Sequence, residues 1–179
     1  MMKNITKTLL FLVGLFVLPS LIVLAGNKPK EVKIPCADKG RSDAMYFRAS
    51  NSAKSNDMAR AKDKALMVTK QMLASLIGST LQAVNDNFAS SSSTEFKQSM
   101  QSISREVVNQ QLKSVAIACE KTDKGKDGNY ECFIAVEMPK VVLVEEIVKA
   151  VDGNDKLKVD FDKKKFEEIF DSEMKKLEN

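Results

Sequence analysis

From Asp57 to Phe88 the chain runs without a proline, and its apolar residues recur at helical spacing. Ala61, Ala65, Val68, Met72 and Leu76 fall three or four residues apart, flanked by Leu73, Ile77, Leu81, Val84 and Phe88. Arg60, Lys62, Asp63, Lys64, Lys70 and Gln71 supply a wet face, and Ser55, Asn56 or Asp57 offers a side-chain oxygen to cap the first free N–H groups. At about 1.5 Å per residue such a helix is a rod roughly 45 Å long, so any compact fold containing it must be built along it. The apolar stripe is small at its start (Ala59, Ala61, Ala65) and bulkier later, which lets the first half approach a neighbouring layer closely. No basic face accompanies the stripe, so it reads as core rather than as a membrane-surface helix.

Met1 to Gly26 stands apart from that fold. Lys3 and Lys7 precede an apolar run from Leu9 to Ala25, which ends in Val23-Leu24-Ala25, acceptable to a signal peptidase. Residues 1–25 therefore read as a signal peptide, the competing reading being an N-terminal membrane anchor interrupted by Gly14 and Pro19. Asn27 and Lys28 follow the run where a lipoprotein would carry its acylated Cys, and Cys36 is too far downstream for that role. Cleavage after Ala25 leaves 154 of the 179 residues, enough for one domain with one core. Loss of the two lysines lowers the formal charge from +4 to +2. With only Arg41, Arg48, Arg60 and Arg105 to pair with phosphates, nucleic acid is not an expected partner.

Residues 26–42 (GNKPKEVKIPCADKGRS) lack periodicity and read as a linker, with the domain over 43–179. Met45, Phe47 and Ala49 alternate with Tyr46, Arg48 and Ser50, predicting a short strand that ends in a turn at Asn51 and Ser52. After the long helix comes Ala89 to Thr94 (ASSSST), a connection whose hydroxyls can cap the next helix. Phe96, Met100, Ile103 and Val107 predict that second helix from about Glu95 to Gln111. Val115, Ile117 and Cys119, a turn within Lys121 to Asn129, and Tyr130, Cys132, Ile134 and Val136 predict a hairpin. A turn at Gly125-Lys126 places Val115 opposite Val136, Ile117 opposite Ile134 and Cys119 opposite Cys132; a turn at Asp127-Gly128 slips the pairing but keeps the same faces. Pro139 opens a third helix with Leu143, Ile147 and Val151 inward, although Val141, Val142 and Val144 would also suit a strand. Asp152 to Asp160 breaks the pattern, and Asp162 to Leu177 carries Phe166, Ile169, Phe170, Met174 and Leu177 on a last helical stripe. The fold class is α+β: a small antiparallel-containing sheet of βαββ-type order packed against a long helix, with further C-terminal helices.

The path from Tyr46-Phe47-Arg48-Ala49, through Ala61, Ala65 and Leu66, to Arg105-Glu106-Val107-Val108, Asp127-Gly128-Asn129-Tyr130 and Ile134-Ala135-Val136 resembles the LPP20-type bacterial envelope proteins. It is also similar to the N-terminal domain of the flagellar assembly protein T. The resemblance spans about Asp43 to Met138 and implies a βαββ-type domain, an exported location and no known catalysis.

Chemistry is constrained by what is missing. The chain contains no His, so the commonest general base near neutral pH is absent and no Ser-His or Cys-His nucleophile can be assembled. Its three cysteines include no Cys-x-x-Cys pair, the loop Asp123 to Asn129 lacks calcium-loop spacing, and the seven glycines form no phosphate-binding loop. The expectation is thus a non-enzyme, without metal or cofactor. Glu120, Glu131 and Glu137 are the formal candidates for a carboxylate pair, but they read as solvent-facing strand residues. Arg48 and the Arg105-Glu106 pair are expected to meet in a salt bridge.

Two functions from different classes remain. One is an exported envelope or secreted module that binds another envelope protein or itself. The other is a small-molecule or glycan-binding domain, which would want aromatic platforms; the chain has no Trp, and its only tyrosines are Tyr46 and Tyr130.

Export also bears on the cysteines, because an oxidising compartment pairs thiols and three cannot all pair within one chain. Cys119 and Cys132 are candidates as cross-strand neighbours, but that bridge would close a loop the hairpin already closes. A Cys36–Cys119 bridge would tie the linker to the sheet and close a far longer loop, worth about 3–5 kcal/mol by chain entropy. Cys36–Cys119 is therefore the expected pair, with Cys132 free and Cys119–Cys132 the alternative.

Overall fold

The structure, a computed structural model, describes residues 32–89 and 92–178. Met1 to Glu31, which include the expected signal or anchor over 1–25 and the first part of the linker, lie outside the described residues, as do Ser90 and Ser91 of the serine run.

Strand β1 spans Tyr46–Ser55 and leads into helix α1, Met58–Phe88. Asp57 caps that helix by accepting a hydrogen bond from the Arg60 N–H at 2.8 Å. Helix α2, Thr94–Gln111, starts on Ser93, whose hydroxyl accepts from the Phe96 N–H. Strands β2 (Ala116–Lys124) and β3 (Tyr130–Pro139) come next as a hairpin. Three helices complete the chain: α3 (Lys140–Asp152), the single turn α4 (Asp155–Lys158) and α5 (Lys163–Lys175). Asn154 and Asp162 cap α4 and α5 with their side-chain oxygens, which is why the chain restarts a helix twice after the break at Gly153.

The three strands form one antiparallel sheet in the order β1-β3-β2, with α1 laid across β1 and β3. Both α2 and α5 pack beside α1, and α3 packs on α2. The fold is therefore the expected α+β arrangement, a three-stranded antiparallel sheet under a long helix with helices after it. One face of the sheet carries Phe47, Ala49, Cys132, Ile134, Val136 and Met138, all buried beneath the helices. Phe88 joins the far ends of the helices, its ring centroid lying 5.3 Å from Phe161, 5.5 Å from Phe166 and 6.1 Å from Phe96.

Several details depart from the reading of the sequence. Strand β1 does not turn at Asn51 and Ser52 but continues to Ser55, because β3 is long enough to pair with it down to Ser55 and Tyr130. The inward stripe of α1 runs through Ala61, Ala65, Thr69, Leu73, Ile77, Leu81, Val84 and Phe88, so Val68 and Leu76 are only half-buried and Met72 is 46% exposed. The largest change is in the hairpin. A β-bulge at Ala118 shifts the register between Ile117, opposite Val136, and Cys119, opposite Ala135. Beyond the bulge each β2 residue lies on the face opposite to the one expected, so Cys119 stands on the outer face of the sheet while Cys132 lies opposite Thr122 on the helix-covered face. Ile117, expected in the core, is 44% exposed on this edge strand.

The compact unit begins at Lys33, so residues 33–42, expected as linker, pack with the sheet. A single 3-10 turn, Ala37–Gly40, folds over the outer face of the sheet. Gly40 is essential to that approach: a Cβ there would stand 2.1 Å from the Ser50 Oγ and 2.9 Å from the Ser50 backbone nitrogen. Ser42 seals the strap by accepting from the Arg48 N–H at 2.8 Å and donating to the Arg48 carbonyl.

Candidate functional site

The three glutamates Glu120, Glu131 and Glu137 do not converge. Glu131 and Glu137 lie on one face of β3, six residues and therefore about 20 Å apart, and Glu120 lies on the opposite face of β2. Each also has its own cation. Glu137 Oε2 is 2.9 Å from Arg48 Nε, Glu131 Oε2 is 3.3 Å from Lys54 Nζ, and Glu120 Oε2 is 2.9 Å from Lys62 Nζ. These are the geometries of ion pairs across neighbouring elements, not of an acid–base pair flanking a substrate.

Arg48 does not meet Arg105-Glu106 as expected. Its guanidinium lies over the Tyr46 ring and pairs with both Glu137 and Asp43. The hydrogen bond from Arg48, reinforced by those from the Met45 and Tyr46 N–H groups, holds the Asp43 carboxyl below the usual carboxylate value. Glu137 and then Asp43 raise the already high Arg48 value.

On the same outer face, Cys36 and Cys119 form a disulfide with Sγ atoms 2.07 Å apart and Cα atoms 5.5 Å apart, as expected. Cys36 is buried and adopts the left-handed conformation, with φ of 61°, the only described non-glycine residue to do so. Cys132 is free and buried on the other side of the sheet, which removes the Cys119–Cys132 alternative. Among the described residues no cluster of three or more Cys, Asp or Glu is placed to hold a metal ion.

The concavity with the most varied chemistry is a groove of about 460 Å³ between α1 and α2. Ala74, Gly78, Leu81, Gln82 and Asn85 line it from α1; Gln101, Ser104, Arg105, Val108 and Asn109 line it from α2. Asn85 is only 3% exposed, and its Nδ2 donates to Ser104 Oγ at 3.2 Å, joining the helices by one buried polar link. Its Oδ1 is buried without a hydrogen-bond partner among the described residues. Arg105 is exposed on the rim and has no ion pair among the described residues. Gly78 sits mid-helix with nothing among the described residues within 4 Å of where a Cβ would stand, so no packing among them accounts for it.

Of the polar residues in this groove, only Arg105 stands out in the sequence. A signal was nevertheless present in α2, where Ser104 occupies the inward position four residues after Met100, and in α1, where Asn85 comes directly after the core residue Val84. A polar side chain in an inward helical slot must find a partner or line a cavity.

Comparison with protein-family models, with curated proteins and with solved structures finds no match.

Proposed function

We propose that the chain is an exported, non-enzymatic cell-envelope or secreted protein that works by binding another protein, and that the α1–α2 groove is its recognition surface. The groove carries this reading. It combines a helix backbone bare of a Cβ at Gly78, neutral hydrogen-bonding side chains on both walls and one guanidinium, that of Arg105, with no ion pair among the described residues. That set suits adaptable polar recognition, whereas no aromatic side chain lines it for a sugar or a base to stack on. Export is supported by the Cys36–Cys119 disulfide, a bond that persists in oxidising compartments, and by the charged start and apolar run before Ala25. The resemblance to LPP20-type envelope proteins points the same way.

Two measurements test the reading. Intact mass of protein taken from its native envelope should match a chain starting at or near Gly26; retention of Met1 to Ala25 would instead make it an anchored protein. A photo-crosslinking residue at Gln82 or Gln101 should trap a discrete partner that the same residue at Lys164, on the exposed face of α5, does not trap. Equal trapping at all three positions would remove the groove from the function.

A further inference from the structure

We propose that the occupant of the α1–α2 groove is an extended acidic peptide segment, its carboxylate paired with Arg105 and its main chain laid against Gly78; this rests on the binding role proposed above. Three observations define that class.

The first is the unsatisfied amide of Asn85. With Nδ2 spent on Ser104, Oδ1 is an acceptor without a donor, and exchanging the two ends of the amide would leave a donor without an acceptor. Oδ1 is buried, so a ligand meets this amide only when the Asn85 side chain turns toward the groove; a peptide group, which offers an N–H and a C=O side by side, then satisfies either arrangement. Gln82, which also lines the groove from α1, presents the same dual chemistry.

The second is charge. Arg105 is the one ionic group of the groove, with no carboxylate lining it, so a ligand carrying a single negative charge is complemented and a cationic one is not. The third is Gly78. A mid-helix glycine exposes its backbone, and the empty space above it admits a main chain closer than any side chain would allow. The volume of about 460 Å³ lies within the range of small-ligand sites, roughly 300–1,000 Å³, and suits a short segment of chain.

The test is selection of a random heptapeptide phage library on the purified chain, then titration of the enriched peptides in amide and side-chain NMR spectra. Enriched peptides should carry Asp or Glu, and they should shift the Gly78 amide and the Asn85 side-chain amide. Arg105→Gln should weaken them at least tenfold, Arg105→Lys less so, and Gly78→Leu should abolish binding while Lys164→Gln leaves it unchanged. Melting curves of each variant separate lost binding from lost folding. Peptides that bind Arg105→Gln as tightly as the parent, yet fail on Gly78→Leu, overturn the acidic class and leave the groove as a binding surface. If no peptide is enriched while groove crosslinks persist, the peptide class itself is overturned. Indifference to both substitutions, with no shift at Gly78 or Asn85, overturns the inference and the groove together.

Discussion

Gly78 lowers the stability of the helix that contains it. Glycine in a helix interior costs about 0.5–1 kcal/mol relative to alanine, and here a methyl group would meet no neighbour among the described residues. Gly78→Ala should therefore raise the melting temperature by roughly 1–4 °C, while weakening any ligand whose main chain approaches that point. A melting temperature that stays level or falls would show that the glycine is held by packing. Asp43 makes the opposite kind of contribution. Its carboxyl is held below its ordinary value of 3.8 by the hydrogen bond from Arg48 and by two backbone N–H groups. Stability from this group is complete above the unfolded value and is lost as pH falls through the lower folded one. The parent should accordingly melt above Asp43→Asn near neutral pH, with the gap closing below about pH 4. Since Asp43 is nearly half exposed, the gap is worth less than about 1 kcal/mol. A gap unchanged down to about pH 2 would place the contribution elsewhere.

At the scale of elements, hydrophobic spacing and caps made the helices legible. Asp57, Ser93 and Pro139 each stand immediately before a helix, and the inward sets Phe96-Met100-Val107 and Phe166-Phe170-Met174 are buried where their spacing puts them. The features that were not legible are set by pairing across the sheet. Nothing local in Asn51-Ser52 announces a strand, because those residues are held by Ile134 and Phe133 of β3. The bulge at Ala118 is likewise invisible in an alternating run, and one extra residue exchanges the faces of everything after it. The cysteine pairing came out as expected although simple alternation puts Cys119 and Cys132 side by side; the bulge, by turning Cys119 outward, is the reason it holds. The groove was illegible for a related reason, since its walls come from two helices whose facing is settled only by packing. The disulfide gives a direct test at this scale. Cys119→Ser should cost roughly 4–5 kcal/mol in oxidising conditions and almost nothing extra in reducing ones, by the chain entropy of a loop with a separation of 83 residues. Cys132→Ser should show no such redox dependence, because its penalty comes from burying a hydroxyl. Equal behaviour of the two variants in denaturant would contradict the pairing.

Across the whole molecule the two faces of the sheet are treated differently. Helices cover one with a continuous apolar core, while the other is crossed by the short strap at 33–42 and is otherwise occupied by ion pairs such as Arg48–Glu137 and Lys54–Glu131. The covalent link from that strap to β2 changes how the protein would carry tension. A pull arriving from the N-terminal side cannot peel away the strap and then β1; it passes through sulfur directly into β2, bypassing β1, α1 and α2. Those elements lie within a closed loop and are shielded from the load. Stretched from its ends, the oxidised domain should release about 280 Å less chain than the reduced one, given a separation of 83 residues at about 3.4 Å each. Single-molecule extension with and without a reductant would measure that difference. The fold is built so that α1 and α2, with the groove between them, can stay intact while the segment ahead of them is pulled.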